Sequence, residues 1–143
     1  MTRVSGLLVF VLAAAVAPAL AQQSGGVRVE FQGPGGHSFG AYGRVSALHA
    51  AARTVILLQK ALPAGSYQIT NLTGGNSVNA IASDGLIELK LTAGSATAYQ
   101  ALVTAVTKAA EDGAAAENAF RGVKPGDLTS GAPATVRSKV TRF

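Results

Sequence analysis

The chain has 143 residues, of which 12 are Lys or Arg and 7 are Asp or Glu, giving a formal net charge of +5, and it contains no cysteine. The lack of cysteine excludes disulfide bonds and thiol chemistry, so a metal site would have to use histidine and carboxylate ligands alone. Because the positive residues are scattered without a dense cluster, the charge favours solubility over nucleic-acid binding.

The first 21 residues have the pattern of an export signal. Arg3 supplies a positive charge, residues 7–17 form an unbroken apolar run, and Ala19-Leu20-Ala21 resembles a cleavage site. A membrane span needs ~20 apolar residues, and Pro18 ends this run too early. We predict a signal peptide over residues 1–21, a linker over residues 22–26 and a secreted or periplasmic domain without membrane contact. An uncleaved N-terminal anchor and a misassigned start codon are the alternatives.

The next segments predict a strand, a glycine turn and a helix. Val27, Val29 and Phe31 alternate with polar residues, the period of a strand with one buried face. The turn that follows has the sequence Gly33-Pro34-Gly35-Gly36-His37-Ser38. Beyond it, one stripe at helical spacing predicts a helix that ends near Pro63, and the stripe consists of Val45, Leu48, Ala52, Val55 and Gln59.

Two short strands are predicted next, one at Tyr67 and Ile69 and the other from Ile87 to Leu91. Residues 73–84 between them are too long for a tight hairpin, and loops of roughly a dozen residues are often functional. This loop carries a second glycine motif, Gly74-Gly75-Asn76-Ser77-Val78-Asn79-Ala80-Ile81.

A second helix is predicted from an N-cap at Ser95 or Thr97 to a stop at Gly113. Its apolar stripe consists of Tyr99, Leu102, Val103, Val106 and Ala110. Residues 113–133 are rich in Ala, Gly, Pro and Ser and predict a partly helical linker before a last strand at Val136, Ser138 and Val140. The order βαββαβ predicts an α+β, ferredoxin-like split βαβ fold, with a four-stranded antiparallel sheet and two helices on one face.

Motifs for self-sufficient catalysis are missing from the sequence. The first glycine turn has Ser38 where a dinucleotide fingerprint needs Gly or Ala, and no Gly-Lys-Ser/Thr follows. His37 and His49 lie twelve residues apart without a carboxylate at ligand spacing, so we predict no metal site. No nucleophile has a recognisable base, the acidic residues are dispersed, and no RNA-binding aromatic motif is present. Taken alone, the first turn could be a glycine turn with an incidental histidine.

Together the two motifs, in this order and between these elements, resemble the dimerisation (lid) domain of the aminoacylase, carboxypeptidase-G and succinyl-diaminopimelate desuccinylase family of zinc peptidases and amidohydrolases. The resemblance spans roughly residues 27–143. It implies a domain inserted into a two-metal catalytic domain, with a helix and an edge strand that pair with a second copy to form a homodimer. It also implies zinc in the complete enzyme, whereas the family's metal ligands lie in the catalytic domain and are missing here.

Roles for individual residues follow from the same resemblance. His37 would stabilise the oxyanion in the partner's active site, and Asn79 would hydrogen-bond the substrate. Gly74 and Gly75 would let the backbone approach the ligand, while Gly35 and Gly36 would shape the turn. The sequence departs from the family at Ala82, where a proline often stands, and at Lys90-Leu91-Thr92, which replaces Asp-x-Arg.

The expected function is therefore a dimerisation and lid module that acts on a zinc-binding catalytic domain in trans and does not catalyse hydrolysis alone. One alternative is a free-standing secreted module that binds a peptide or a small anionic ligand. Another is a fragment of a peptidase gene.

Overall fold

The computed structural model describes residues 22–143, and the predicted signal peptide lies outside the described residues. Four longer strands, two longer helices and several short elements follow one another along the chain. In order they are β1 (Gln23–Gln32), β2 (Gly36–His37), α1 (Ser38–Ala41), α2 (Ala47–Ala61), β3 (Tyr67–Thr73), β4 (Ala80–Ile81), β5 (Asp84–Ala93), α3 (Ala96–Phe120), β6 (Leu128–Thr129), β7 (Ala132–Pro133) and β8 (Arg137–Arg142).

The main sheet has the strand order β3-β5-β1-β8, and all its pairings are antiparallel. Val27, Val29 and Phe31 of β1 are buried, as their alternation with polar residues predicts. Both long helices cover this one face, α2 against β5 and β1, and α3 against β8, β1 and β5. The predicted ferredoxin-like α+β fold is confirmed. Residues 23–26, expected to form a linker, extend β1 and pair with β5.

The predicted stripe of α2 is wrong in its rotation about the helix axis. The buried face consists of Ala47, Ala50, Ala51, Thr54 and Leu58. Of the predicted stripe on the helix itself, Leu48 and Val55 are only half-buried, while Ala52 and Gln59 are exposed. Apart from Leu58, the buried residues are small, which allows close packing of α2 on the sheet and on α3.

Helix α3 begins at its predicted cap, because the Ser95 hydroxyl accepts a hydrogen bond from the Ala98 amide at 3.1 Å. The predicted stop at Gly113 is wrong, since α3 runs through Gly113 to Phe120. Gly113 is buried against α2, and a Cβ atom there would collide with the Thr54 hydroxyl and lie 3.0 Å from the Ala50 carbonyl. The glycine therefore permits close contact between two helices.

Glu117 forms a buried charged contact between α3 and the start of α2. Its carboxylate is 0% exposed, accepts a hydrogen bond from the Ser46 amide at 3.1 Å, and pairs with Arg53 Nε at 3.0 Å and Arg121 Nε at 3.3 Å. His49 Nδ1 lies 3.8 Å away. A carboxylate removed from water needs such compensation, and here two guanidinium groups and a helix N-terminus supply it.

The two ends of β1 lie beside different parts of the chain. Gly26 and Phe143 exchange backbone hydrogen bonds of 3.1 and 3.0 Å, which places β8 beside β1 where the described chain enters and leaves the sheet. The glycine turn lies at the other end of β1.

In the part of the chain that the structure describes, no helix is long and apolar enough to cross a membrane.

Candidate functional site

The two glycine motifs, which are separated in sequence, meet in the structure. β2 and β4 form a two-stranded antiparallel ribbon in which Gly36 pairs with Ile81 and His37 with Ala80. The Ser38 amide donates to the Asn79 carbonyl at 2.9 Å, which extends the contact by one residue. The loop over residues 73–84 is therefore held against the first turn, and His37 and Asn79 become neighbours.

The first turn requires glycine at two consecutive positions. Gly35 and Gly36 have φ of 61° and 135°, conformations that residues with a side chain rarely adopt. A Cβ atom on Gly35 would lie 2.7 Å from the Ser83 Cβ, and one on Gly36 would lie 2.7 Å from the Ala41 Cβ. These constraints support the role expected for this pair, which is to shape the turn that presents His37.

The His37 imidazole is oriented by a hydrogen bond at Nδ1. Its Nδ1 accepts from the Phe39 amide at 3.3 Å, so that His37 caps α1. A neutral imidazole that accepts at Nδ1 carries its proton on Nε2. The Nε2 atom lies 3.3 Å from Asn79 Nδ2, and both side chains are on exposed residues. His37 therefore presents an N–H donor at the surface beside Asn79.

Ser77 sets the orientation of the Asn79 amide. The Ser77 hydroxyl donates to Asn79 Oδ1 at 2.5 Å, which leaves Nδ2 on the side of His37. Two N–H donors then face each other, and neither can accept from the other. A single acceptor oxygen within about 2.9 Å of each would satisfy both donors. The pair has the composition of a site for a carbonyl oxygen or an oxyanion.

Gly74 and Gly75 lie in the same loop, and each has a role in its packing. A Cβ atom on Gly74 would lie 2.6 Å from the Asp84 carbonyl oxygen, so glycine lets the loop approach β5 closely. Gly75 has φ of 73°. Approach of their backbone to a ligand stays a prediction.

Both loops also carry exposed apolar side chains. Phe39, Tyr42 and Val78 have exposed fractions of 93%, 91% and 108%. Neither residues 33–43 nor residues 73–83 include an Asp, Glu, Lys or Arg. Large apolar side chains that are exposed on loops are common in binding surfaces.

The described residues do not fit a metal site. Across residues 22–143, no three His, Asp or Glu side chains come together in a way that could hold an ion.

Two residues that support the site, Ser77 and Arg44, were not predicted from the sequence. Ser77 lies inside the second motif, two positions before Asn79, a spacing at which a hydroxyl can bond a neighbouring side chain. Arg44 donates to the Gly35 carbonyl from nine residues further along the chain. No sequence pattern signals that second contact, because it depends on how the chain returns after α1.

A known protein family matches most of the chain. The family described as the peptidase dimerisation domain matches residues 22–118. No curated protein sequence matches the chain.

Solved structures share the fold at low sequence identity. A tripeptidase from Staphylococcus aureus superposes with a TM-score of 0.64 at 16% identity, covering 85% of this chain and 29% of its own. An aminobenzoyl-glutamate utilization protein from Klebsiella pneumoniae gives 0.61 at 17% identity, covering 85% and 28%. A dinuclear metal-binding peptidase of the M20 family from Bacillus subtilis gives 0.57 at 17% identity, covering 85% and 26%.

The chain thus spans less than a third of the length of these similar structures. Its own four-stranded sheet, its paired glycine motifs and the family match over residues 22–118 lead to the same assignment. The chain belongs to the peptidase dimerisation domain family.

Proposed function

We propose that this chain is the dimerisation and lid module of a secreted zinc peptidase or amidohydrolase, which self-associates and supplies His37 and Asn79 to a catalytic domain in trans. The paired donors carry the proposal. His37 Nε2 and Asn79 Nδ2 lie 3.3 Å apart on exposed loops, with their orientations set by Phe39 and Ser77.

Amide hydrolysis needs donors of this kind. When a nucleophile attacks the carbonyl carbon, negative charge develops on the oxygen, and donors already in place stabilise it without reorganising. In the proposed enzyme zinc would activate the attacking water, and the catalytic domain would hold the zinc. This chain's part is to place His37 against the oxygen and Asn79 against the substrate.

The position of the loops supports donation in trans. Gly26 and Phe143 are paired at one end of the sheet, whereas the turn follows Gln32 at the other end of β1. The six residue steps from Gly26 to Gln32 span about 20 Å of strand. A catalytic domain joined near Gly26 and Phe143 would lie at the end remote from His37, so the partner's catalytic domain is the more accessible target.

The surface for self-association is proposed at the β3 edge. The free strands of the main sheet are β3 and β8, and β8 carries Arg137, Lys139 and Arg142, whereas Tyr67–Thr73 has no charged residue. Unpaired strands without charge are templates for pairing with another chain, and charges on an edge oppose it.

Helix α2 extends this surface. Leu57 and Ala61 of α2 share a groove with Ala105 and Ala109 of α3. At 100° per residue, Ala52 and Val55 lie on the flank of α2 that faces away from α3, towards β3. The half-buried and exposed residues that were wrongly predicted as core are thus available to a second copy.

Trans donation can be tested in a hybrid of the Staphylococcus aureus tripeptidase whose aligned segment is replaced by residues 22–143. Co-expression would combine a His37→Ala hybrid with a hybrid whose catalytic domain cannot bind metal. Either variant alone should lose about 10²–10³-fold in kcat or more. Together they should recover about a quarter of the activity, because half of the dimers then contain one intact site.

The control is a single hybrid that carries both changes, co-expressed with the unchanged hybrid at the same level. Activity that is recovered only when the two single variants are co-expressed supports donation in trans. If the two single variants recover nothing while the unchanged hybrid is active and dimeric, His37 acts within its own chain or not at all.

A further inference from the structure

Arg44 connects the His37 turn to a distant part of the chain. Its Nη1 donates to the Gly35 carbonyl at 3.1 Å, and its Nη2 donates to the Ser130 hydroxyl at 3.1 Å. Ser130 lies in the turn between β6 and β7, with φ of 50°. One guanidinium therefore joins the glycine turn to the hairpin that follows α3.

The hydrogen bond from Arg44 to the Gly35 carbonyl restrains the two residues of the turn whose backbone is most free to rotate. Gly35 and Gly36 can adopt many backbone conformations, and the turn is useful only in the one that directs His37 towards Asn79. A hydrogen bond from a charged donor to the Gly35 carbonyl holds the orientation of the peptide before Gly36. Arg44 also lies where a side chain on Gly36 would extend, with Nη1 3.0 Å from the position of a Cβ atom.

The hairpin in turn holds Arg44. The Ala134 amide donates to the Asp127 carbonyl at 2.8 Å, and Asp127 Oδ2 accepts from the Lys124 amide at 2.7 Å, so both ends of the hairpin are fixed. A planar guanidinium can bond two acceptors at once in a set geometry, which the ammonium of lysine does less well.

We propose that Arg44 is the positioning residue of the His37–Asn79 pair and that the β6–β7 hairpin supports it through Ser130. The consequence for catalysis rests on the proposed function above. The consequence for local structure does not, because the contacts lie within one chain.

Hydrogen exchange tests this proposal on the full chain as it is recovered from the expressing cell. The Ser38 amide bonds the Asn79 carbonyl and the Phe39 amide bonds His37 Nδ1, so their exchange rates report the site directly. In Arg44→Ala both amides should exchange about tenfold faster or more, as loss of a charge-assisted bond implies. Arg44→Lys should fall between Arg44→Ala and wild type, and Ser130→Ala should give a smaller increase than Arg44→Ala.

The amides of the β1–β5 ladder serve as the internal control, and they should keep their wild-type rates in each variant. The imidazole ¹⁵N shifts of His37 provide a second measurement. They should show the proton on Nε2 in the wild type and a mixture of tautomers in Arg44→Ala.

Two results would overturn the proposal: unchanged exchange at Ser38 and Phe39 in Arg44→Ala, or an equal acceleration throughout the β1–β5 ladder. The second result would mean that Arg44 stabilises the whole domain and has no particular effect on the site. Failure of the hybrid to show trans complementation would instead count against the proposed function and leave the exchange result as it stands.

Discussion

Glu117 is the residue whose role depends most on the three-dimensional structure. In the sequence it is one of several dispersed acidic residues, and nothing in its spacing predicts that it is buried. In the fold its carboxylate accepts from the Ser46 amide and pairs with Arg53 and Arg121. The sequence separation of 71 residues between Ser46 and Glu117 explains why a local pattern could not reveal this contact.

Replacing Glu117 should therefore lower the free energy of unfolding. Glu117→Ala would leave the Ser46 amide without its acceptor and two guanidinium groups without their counter-charge. Since Arg53 and Arg121 are partly exposed, water can compensate for some of this loss, and we expect a decrease of about 3 kcal/mol in the free energy of unfolding. Urea denaturation measures it, with the exposed Glu111→Ala on the same helix as the matched control. A decrease below about 0.5 kcal/mol, as for an ordinary surface residue, would contradict this account.

The roles of the candidate site residues stay predictions, but their proximity is a feature of the structure. His37 and Asn79 were identified from two motifs whose order and spacing are specific, and the structure brings them together. The sequence did not predict that their nitrogen donors would face each other, because this depends on the Ser77 hydroxyl and on the pairing of β2 with β4.

Among the elements, α3 differs most from its prediction. Glycine is the commonest helix stop, and Gly113 follows a well-defined apolar stripe, so the expected end there was reasonable. Packing explains why the helix continues, because Gly113 lets α3 contact Thr54 and Ala50 of α2 closely. The strands were easier to predict, since an alternating pattern with one buried face is a local property of the sequence.

Because Gly113 packs against Thr54, Gly113→Ala should destabilise the protein, although alanine is the better helix former. The added methyl group meets Thr54, and overpacking of this kind costs ~1–3 kcal/mol, more than the ~1 kcal/mol gained in helix propensity. Equilibrium unfolding of Gly113→Ala, Thr54→Ala and the double variant measures the coupling. We expect Gly113→Ala to cost less in the Thr54→Ala background. If Gly113→Ala stabilises the wild-type protein, the glycine has no packing role.

At the scale of the whole molecule, the mistaken stripe of α2 has a functional interpretation. The stripe predicted for α2 implies burial, whereas the fold of a single chain leaves this flank only partly covered. A second copy could complete the burial, since β3 beside it is an uncharged edge. The sequence predicted burial for this flank, and it could not show whether a second copy covers the part that the folded chain leaves exposed.

Self-association at this face can be tested with one exposed residue. Ala52→Glu adds a negative charge to each copy at the proposed interface, and it should shift the chain from dimer to monomer at micromolar concentration in sedimentation equilibrium. Ala101→Glu on α3 is the matched control, because Ala101, like Ala52, is an exposed alanine at the sixth position of its helix. Equal dissociation constants for the two variants would place the interface elsewhere.

The hydrogen-bonded pair of Gly26 and Phe143 also makes the domain suitable for circular permutation. Residues 22–25 continue beyond this pair, so a linker from Phe143 back to Gln22 has to span only about 13 Å. New termini could open at Gly65, which is exposed between α2 and β3. In such a chain β1 and β8 would become consecutive strands of a hairpin, while the loops that carry His37 and Asn79 would keep their connections.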